Sequence, residues 1–241
     1  MKGKVVLVGA GPGDAGLLTL KGMEMLKSCD VVVYDRLVSE EVLKLVRGEA
    51  ELIYAGKNLG ESQSQDAINH LLLRKALEGK LVVRLKGGDP YVFGRGEEEC
   101  SFLIQRGVPC EVVPGVTSAI AAPAYAGIPV TSRWFSSGFT VVTGSKSEGS
   151  GIDLDYIPKK GTLIIMMGVS KIEEVKEALL KVRSPDTPAA IVERGTTLQQ
   201  RVFACTLKDL DQCVFENGVE APAVIVVGEV IKLRDKLWKY Q

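Results

Sequence analysis

The chain has 241 residues, 46% of them hydrophobic and 25% charged, which excludes a disordered or low-complexity chain and suits one large or two modest α/β domains. Thirty basic residues cancel thirty acidic ones, so no global field exists to hold a nucleic-acid backbone or an anionic membrane. The apolar run at residues 5–8 is too short for a signal peptide, and no run approaches the roughly 20 residues of a membrane helix, so the expectation is a cytoplasmic protein.

In chain order, near-continuous apolar runs at residues 5–8, 31–33, 81–83 (in a strand read as 81–85), 163–165 and 224–227 predict strands, and residues 139–143 are strand-like. Runs of that kind suit strands covered on both faces. The first ends in Gly9-Ala10-Gly11-Pro12-Gly13-Asp14-Ala15-Gly16, where Gly11, Gly13 and Gly16 fit a dinucleotide-loop spacing. Pro12 removes an amide and Asp14 adds negative charge, so a pyrophosphate is poorly served. Close backbone approach at the carboxyl edge of a sheet is what the loop offers. A nicotinamide-dependent oxidoreductase is the reading that depends on the glycine spacing.

Residues 67–77 predict a helix with Ile68, Leu71, Leu72 and Ala76 on one face and Ser64 as its cap. His70, the single histidine, falls in this helix as a surface residue, and its solitude removes His-based triads and two-histidine metal motifs. After the strand at 81–85 comes Lys86-Gly87-Gly88-Asp89-Pro90-Tyr91-Val92-Phe93-Gly94-Arg95-Gly96. Its glycines permit close approach, Asp89 supplies an acceptor and Pro90 stiffens the turn, which suits an uncharged-to-cationic ligand.

The periodicity breaks at residues 127–138, which places a boundary between domains 1–133 and 134–241. Beyond it, residues 145–158 read as a mobile loop, and Ser170 with Glu173 as a capping box ahead of Ile172, Val175, Leu179 and Val182. Strand and helix patterns alternate, which is the signature of an α/β class with mainly parallel sheet. Cys29, Cys100, Cys110, Cys205 and Cys213 are odd in number and contain no Cys-x-x-Cys pair. They read as buried thiols, with neither a disulfide framework nor a metal site.

Taken together with Tyr34-Asp35-Arg36-Leu37-Val38-Ser39, Gly56-Lys57, Val113-Pro114-Gly115-Val116-Thr117-Ser118-Ala119, Gly127-Ile128-Pro129-Val130-Thr131-Ser132-Arg133 and Arg194-Gly195-Thr196-Thr197, these loops resemble the tetrapyrrole methylase family over nearly the whole chain. The resemblance implies a two-domain α/β fold with a mainly parallel N-terminal sheet, a mixed C-terminal sheet and a ligand cleft between the domains. It also implies a homodimer that uses S-adenosylmethionine and no metal. Residues 34–39 and 195–201 point within the family to methylation of uroporphyrinogen III at C2 and C7, giving precorrin-2 for siroheme or cobalamin. A sister reaction on a later corrin intermediate is the alternative.

By position, the resemblance implies cosubstrate contacts from Pro12, Gly87, Gly88, Asp89, Val92, Thr117, Ser118, Met167 and Gly195. It assigns Asp35 as proton acceptor and Lys57 as proton donor. A polycarboxylate substrate needs clustered cations, and Arg36, Arg84, Arg95 and Arg133 lie in or beside the motifs, with Lys57 and Lys86. Asn58 stands where the family often has arginine, and the dehydrogenase and chelatase module of fused siroheme synthases is lacking, so a stand-alone methylase is expected. On residue chemistry alone, Asp35 would equally start a turn or cap a helix, Met167 would be core, and Thr117 and Ser118 would be helix caps.

Overall fold

The structure, a computed structural model, describes residues 3–56, 65–145 and 152–240. Its packing divides the chain into two compact units, Met1–Thr117 and Ser118–Gln241.

In the first unit β1 (Lys4–Gly9), α1 (Leu20–Ser28), β2 (Val31–Tyr34), α2 (Glu40–Leu43), β3 (Glu51–Tyr54), α3 (Gln65–Leu77), β4 (Leu81–Lys86), α4 (Gly96–Ile104) and β5 (Cys110–Val113) follow one another. The sheet order is β3-β2-β4-β1-β5, and every pairing is parallel. Alternation along the strands builds two cores. Val5, Leu7, Val31, Val33 and Val82 pack under Ile68, Leu72 and Ala76 of α3 and Leu103 of α4. Val6, Val8, Val32, Val83 and Leu85 pack on the other face with Leu26 of α1 and Val42 of α2. Burying both faces explains why these strands read as unbroken apolar runs.

β1 and β4 are neighbours, yet the chain leaves β1 through α1 on one face and β4 through α4 on the other. In open α/β sheets such a switch point opens a crevice at the carboxyl ends of the strands, where ligands bind.

The second unit contains α5 (Ser118–Tyr125), β6 (Phe139–Thr143), β7 (Thr162–Met166), α6 (Ile172–Leu180), β8 (Pro188–Glu193), β9 (Arg201–Thr206), α7 (Leu210–Glu216) and β10 (Ala223–Val227). Its sheet is mixed, in the order β6-β7-β10-β8-β9, with only β6 and β7 parallel. α6 and α7 cover one face and α5 the other, where Ala119 and Ala122 meet Ile164, Ala190, Val192 and Val224. That contact puts α5 in the second unit, so the division falls at 117/118, ahead of the break in periodicity behind the expected 133/134 boundary.

Two local expectations are corrected. α6 starts from a 3-10 turn, Val169–Lys171, and its N-cap is Lys171 with no side-chain capping bond, so Ser170 and Glu173 form no capping box. Cys100 and Cys110 are joined in a disulfide: α4 returns into β5 and brings their Cα atoms to 5.4 Å, within reach of a bridge. Cys29, Cys205 and Cys213 remain thiols. Burial pushes Cys29 up to about 11 and Cys205 up to about 12, so neither is reactive near neutrality.

Ser64 and residues 146–151 lie outside the described residues. Of the expected loop at 145–158, the described part contains a 3-10 turn, Leu154–Tyr156, flanked by the buried Ile152 and Ile157. His70 is exposed beside Asp66, as expected of a surface residue. Among the described residues no helix is long and apolar enough to cross a membrane.

Candidate functional site

Three adjacent strands, β4, β1 and β5, deliver the glycine motifs to one carboxyl edge. Gly11 and Gly88 exchange main-chain bonds, Gly88 N–H donating to Gly11 O at 2.7 Å and Gly11 N–H to Gly88 O at 3.2 Å. A Cβ on Gly9 would lie 2.5 Å from Gly115 Cα, and one on Gly87 would lie 2.7 Å from Leu37 Cβ. Backbone therefore replaces side chain along this edge, which is how a ligand comes close to a sheet. Asp89 ties the loops together: Oδ1 accepts from Tyr91 N–H at 2.8 Å and Oδ2 from Gly115 N–H at 3.0 Å.

Pro12 and Gly13 lie on this edge, but no helix follows them directly. Asp14 caps a 3-10 turn, Ala15–Leu17, and α1 begins only at Leu20 under Thr19. The amide-bearing helix start that a dinucleotide pyrophosphate requires is thus displaced from the glycines, which removes the structural basis of the nicotinamide reading.

Asp35 follows β2 at the same edge, its side chain 26% exposed. Oδ1 accepts from Leu37 N–H at 3.1 Å, closing the turn anticipated for it, and Oδ2 faces Arg84 Nη2 at 3.4 Å. Arg84 is 4% exposed and has no free edge toward a substrate carboxylate. Its Nε donates to Glu99 Oε1 at 3.2 Å, and its Nη1 to the carbonyls of Val33 and Leu85. Lys86 is bound to the same Glu99 oxygen at 2.9 Å. Burial, then the Arg84 charge, lowers the Lys86 pKa, with Glu99 opposing.

Sequence reasoning missed Glu99, although alternation carried a signal. In β4, Val82, Arg84 and Lys86 share the face covered by α3 and α4, so two cations point into an interior that must supply an anion.

Of the described candidate substrate cations, Arg36, Arg95 and Arg133 are exposed. Arg95 grips Glu98 through Nε and Nη2 at 2.8 and 2.7 Å, and that bond raises its pKa above the usual guanidinium value. Arg133 belongs to the second unit, in a turn closed by paired bonds between Ser132 and Ser136. Val92 is half-buried after the Asp89 turn. Thr117 ends the first unit and Ser118 opens α5. Lys57 lies outside the described residues.

In the second unit Met167 follows β7 and is 49% exposed, not core as its residue type alone suggests. Gly195 is held against α5, where a Cβ would stand 2.5 Å from Ala122 Cβ. The described non-glycine residues with positive φ are Phe93, Arg95, Met167, Arg194 and Thr196. All fall in the loops after β4, β7 and β8 that carry the motifs. Left-handed backbone at such residues costs on the order of 1–3 kcal/mol and concentrates at functional loops. Among the described residues no cluster of His, Cys, Asp or Glu could hold a metal ion.

Comparison with known proteins places this arrangement. The chain is 50% identical over 241 residues to a uroporphyrinogen-III C-methyltransferase of Methanocaldococcus jannaschii, covering 98% of this chain and 99% of that one. It is 48% identical to a siroheme synthase of Klebsiella pneumoniae, covering 98% of this chain but 52% of that longer protein. The crystal structure of a Thermus thermophilus uroporphyrin-III C-methyl transferase with S-adenosylhomocysteine superimposes with a TM-score of 0.83 at 44% identity, over 96% of this chain and all of that one. Residues 4–211 match the Tetrapyrrole (Corrin/Porphyrin) Methylases. With a parallel sheet, a mixed sheet and glycine loops gathered at one strand edge, the chain belongs to the tetrapyrrole methylase family.

Proposed function

We propose that the protein methylates uroporphyrinogen III at C2 and C7, using S-adenosylmethionine, and yields precorrin-2 for siroheme or cobalamin biosynthesis. The observation that carries this reading is 50% identity to the Methanocaldococcus jannaschii methyltransferase over almost the full length of both chains. The site chemistry agrees with it. A sulfonium-bearing cosubstrate suits an edge made of glycine backbone and a carboxylate, and it brings a methyl group already electrophilic enough to need no metal.

Pro12, Gly87, Gly88, Asp89, Val92, Thr117 and Ser118, with Met167 and Gly195, are the proposed cosubstrate contacts. Their work is alignment, because transfer needs the attacking carbon about 3–3.5 Å from the methyl carbon, in line with the bond that breaks. The pyrrole β-carbon forms the new C–C bond, S-adenosylhomocysteine departs, and the pyrrole nitrogen gains positive character. Asp35 stabilises that charge and accepts the released proton, while Lys57 is the proposed donor. Arg36, Arg95 and Arg133 receive substrate carboxylates, and Arg84 serves through its bond to Asp35. A cytoplasmic homodimer is part of the same reading.

The test is anaerobic incubation with uroporphyrinogen III and S-adenosylmethionine, following S-adenosylhomocysteine release and product mass. A gain of two methyl groups is expected. Cosubstrate binding without transfer would move the substrate to a sister reaction on a later corrin intermediate, and absence of binding would overturn the reading.

A further inference from the structure

Resting on the proposed methylation, we infer that Glu99 is a positioning residue for Asp35, acting through Arg84 from beneath the sheet edge. The Glu99 side chain is fully buried, and its Oε1 receives Arg84 Nε at 3.2 Å, Lys86 Nζ at 2.9 Å and Gln65 Nε2 at 3.1 Å. Its Oε2 has no hydrogen-bond partner among the described residues. One oxygen therefore gathers two cations and an amide from β4 and α3.

The planarity of a guanidinium turns this into a steering device. Nε of Arg84 is fixed by Glu99, and Nη1 by the Val33 and Leu85 carbonyls at 3.3 and 3.2 Å. With two edges of a rigid fork committed, the direction of Nη2 is determined, and it meets Asp35 Oδ2 at 3.4 Å. Glu99 does not approach the reacting atoms; it fixes the cation that fixes Asp35. Its charge also balances Arg84 and Lys86, which would otherwise face each other in a low-dielectric interior. Loss of that balance leaves Asp35 as the one carboxylate paired with Arg84 among the described residues and releases the fork to turn.

The test compares wild type with Glu99→Gln, which keeps the shape and removes the charge, and with Glu99→Asp, which keeps the charge. In steady-state methylation, Glu99→Gln is expected to lower kcat about tenfold to a hundredfold while both KM values stay within about twofold, as for a misaligned catalytic group. Glu99→Asp is expected to recover part of kcat, which a purely structural carboxylate would not separate from stability. The crystal structure of the Gln variant is expected to show the Arg84–Asp35 pair parted beyond 4 Å, the limit of an ion pair.

Unchanged kcat in a folded Gln variant, or an intact Arg84–Asp35 pair, overturns the inference. Where Glu99→Gln does not fold, Glu99→Asp decides through the same two readouts, because the shorter side chain draws back from Arg84 Nε: a lowered kcat with a turned guanidinium is expected, and wild-type kcat with Arg84 Nε parted from the carboxylate overturns it. The structural readout uses no turnover. A wild type inert toward uroporphyrinogen III would therefore sink the proposed function while the Arg84–Asp35 geometry still judged the role of Glu99.

Discussion

Gly88 and Gly115 touch through their backbones: a Cβ on residue 115 would lie 2.3 Å from the Gly88 carbonyl oxygen and 2.6 Å from Gly9 Cα. Both neighbours are main chain, so neither can swing aside, and Gly115→Ala must push two strand-end loops apart. The expected cost is about 1–3 kcal/mol, the usual range for overpacking. Because the displaced loops carry the proposed cosubstrate contacts Pro12 and Gly87 to Asp89, affinity for S-adenosylhomocysteine is expected to fall with stability. Thermal unfolding and calorimetric titration measure the two effects, and wild-type values for both would show that the loops are not packed this way.

Asp35 makes two kinds of contact that one substitution separates. Its Oδ1 bond to Leu37 N–H needs only an acceptor, which asparagine keeps, whereas the Arg84 ion pair needs charge. Asp35→Asn is therefore expected to fold, and if Asp35 is the proposed general base it should lower kcat about 10²- to 10⁴-fold. Near-wild-type turnover in the folded variant would reduce Asp35 to a turn former.

Arg95 and Arg84 separate the proposed substrate capture from internal support. Arg95 is exposed and gripped by Glu98, while Arg84 has no free edge. Arg36→Ala and Arg95→Ala are each expected to raise KM for uroporphyrinogen III about tenfold, the value of one charge-assisted hydrogen bond. Their KM values should respond less to added salt than wild type does. Unchanged KM in both variants would move the carboxylate-binding role elsewhere.

Legibility in the sequence followed burial on both faces for most strands; the edge strand β6 was read instead from its aromatic and β-branched residues. β1, β2, β4, β7 and β10 are interior strands and could be read as apolar runs. The edge strands β3, β5 and β9 carry exposed or half-buried residues in place of such runs, and β8 opens on proline and two alanines. The site loops were legible because glycine, proline and aspartate mark turns by their own chemistry. Glu99 was hidden because its role exists only once α4 lies over β4. The Cys100–Cys110 bridge was hidden for a related reason: a separation of 10 residues carries no signal until a helix folds back into its strand.

That disulfide closes a short loop across α4 and β5, next to Glu99. Constraining a loop of this size in the unfolded chain is worth roughly 2–3 kcal/mol. Denatured, unreduced protein is expected to titrate thiols only from Cys29, Cys205 and Cys213, and reduced protein from all five cysteines. Equilibrium unfolding with and without reductant then gives the stability difference. Five reactive thiols without reductant would show the pair to be open.

Glu193 and Arg201 face each other across β8 and β9 in the second unit. Arg201 Nε donates to Oε2 of Glu193, whose Oε1 accepts from Glu220 N–H at 2.7 Å. The Arg201 bond holds the Glu193 pKa below its usual 4.5 against the opposing effect of burial, and the Glu220 amide adds to it. A carboxyl depressed in the folded state contributes its stability above the unfolded pKa and loses it as pH falls through the folded one. Glu193→Gln is accordingly expected to cost about 2 kcal/mol near pH 7, the scale of lost hydrogen bonds to a charged group, reduced by solvent at the half-exposed Arg201. The gap between wild type and variant stays constant down to the usual glutamate range and narrows below it. Urea unfolding across a pH series measures it, and a gap that does not change with pH would show that Glu193 acts by shape and not by charge.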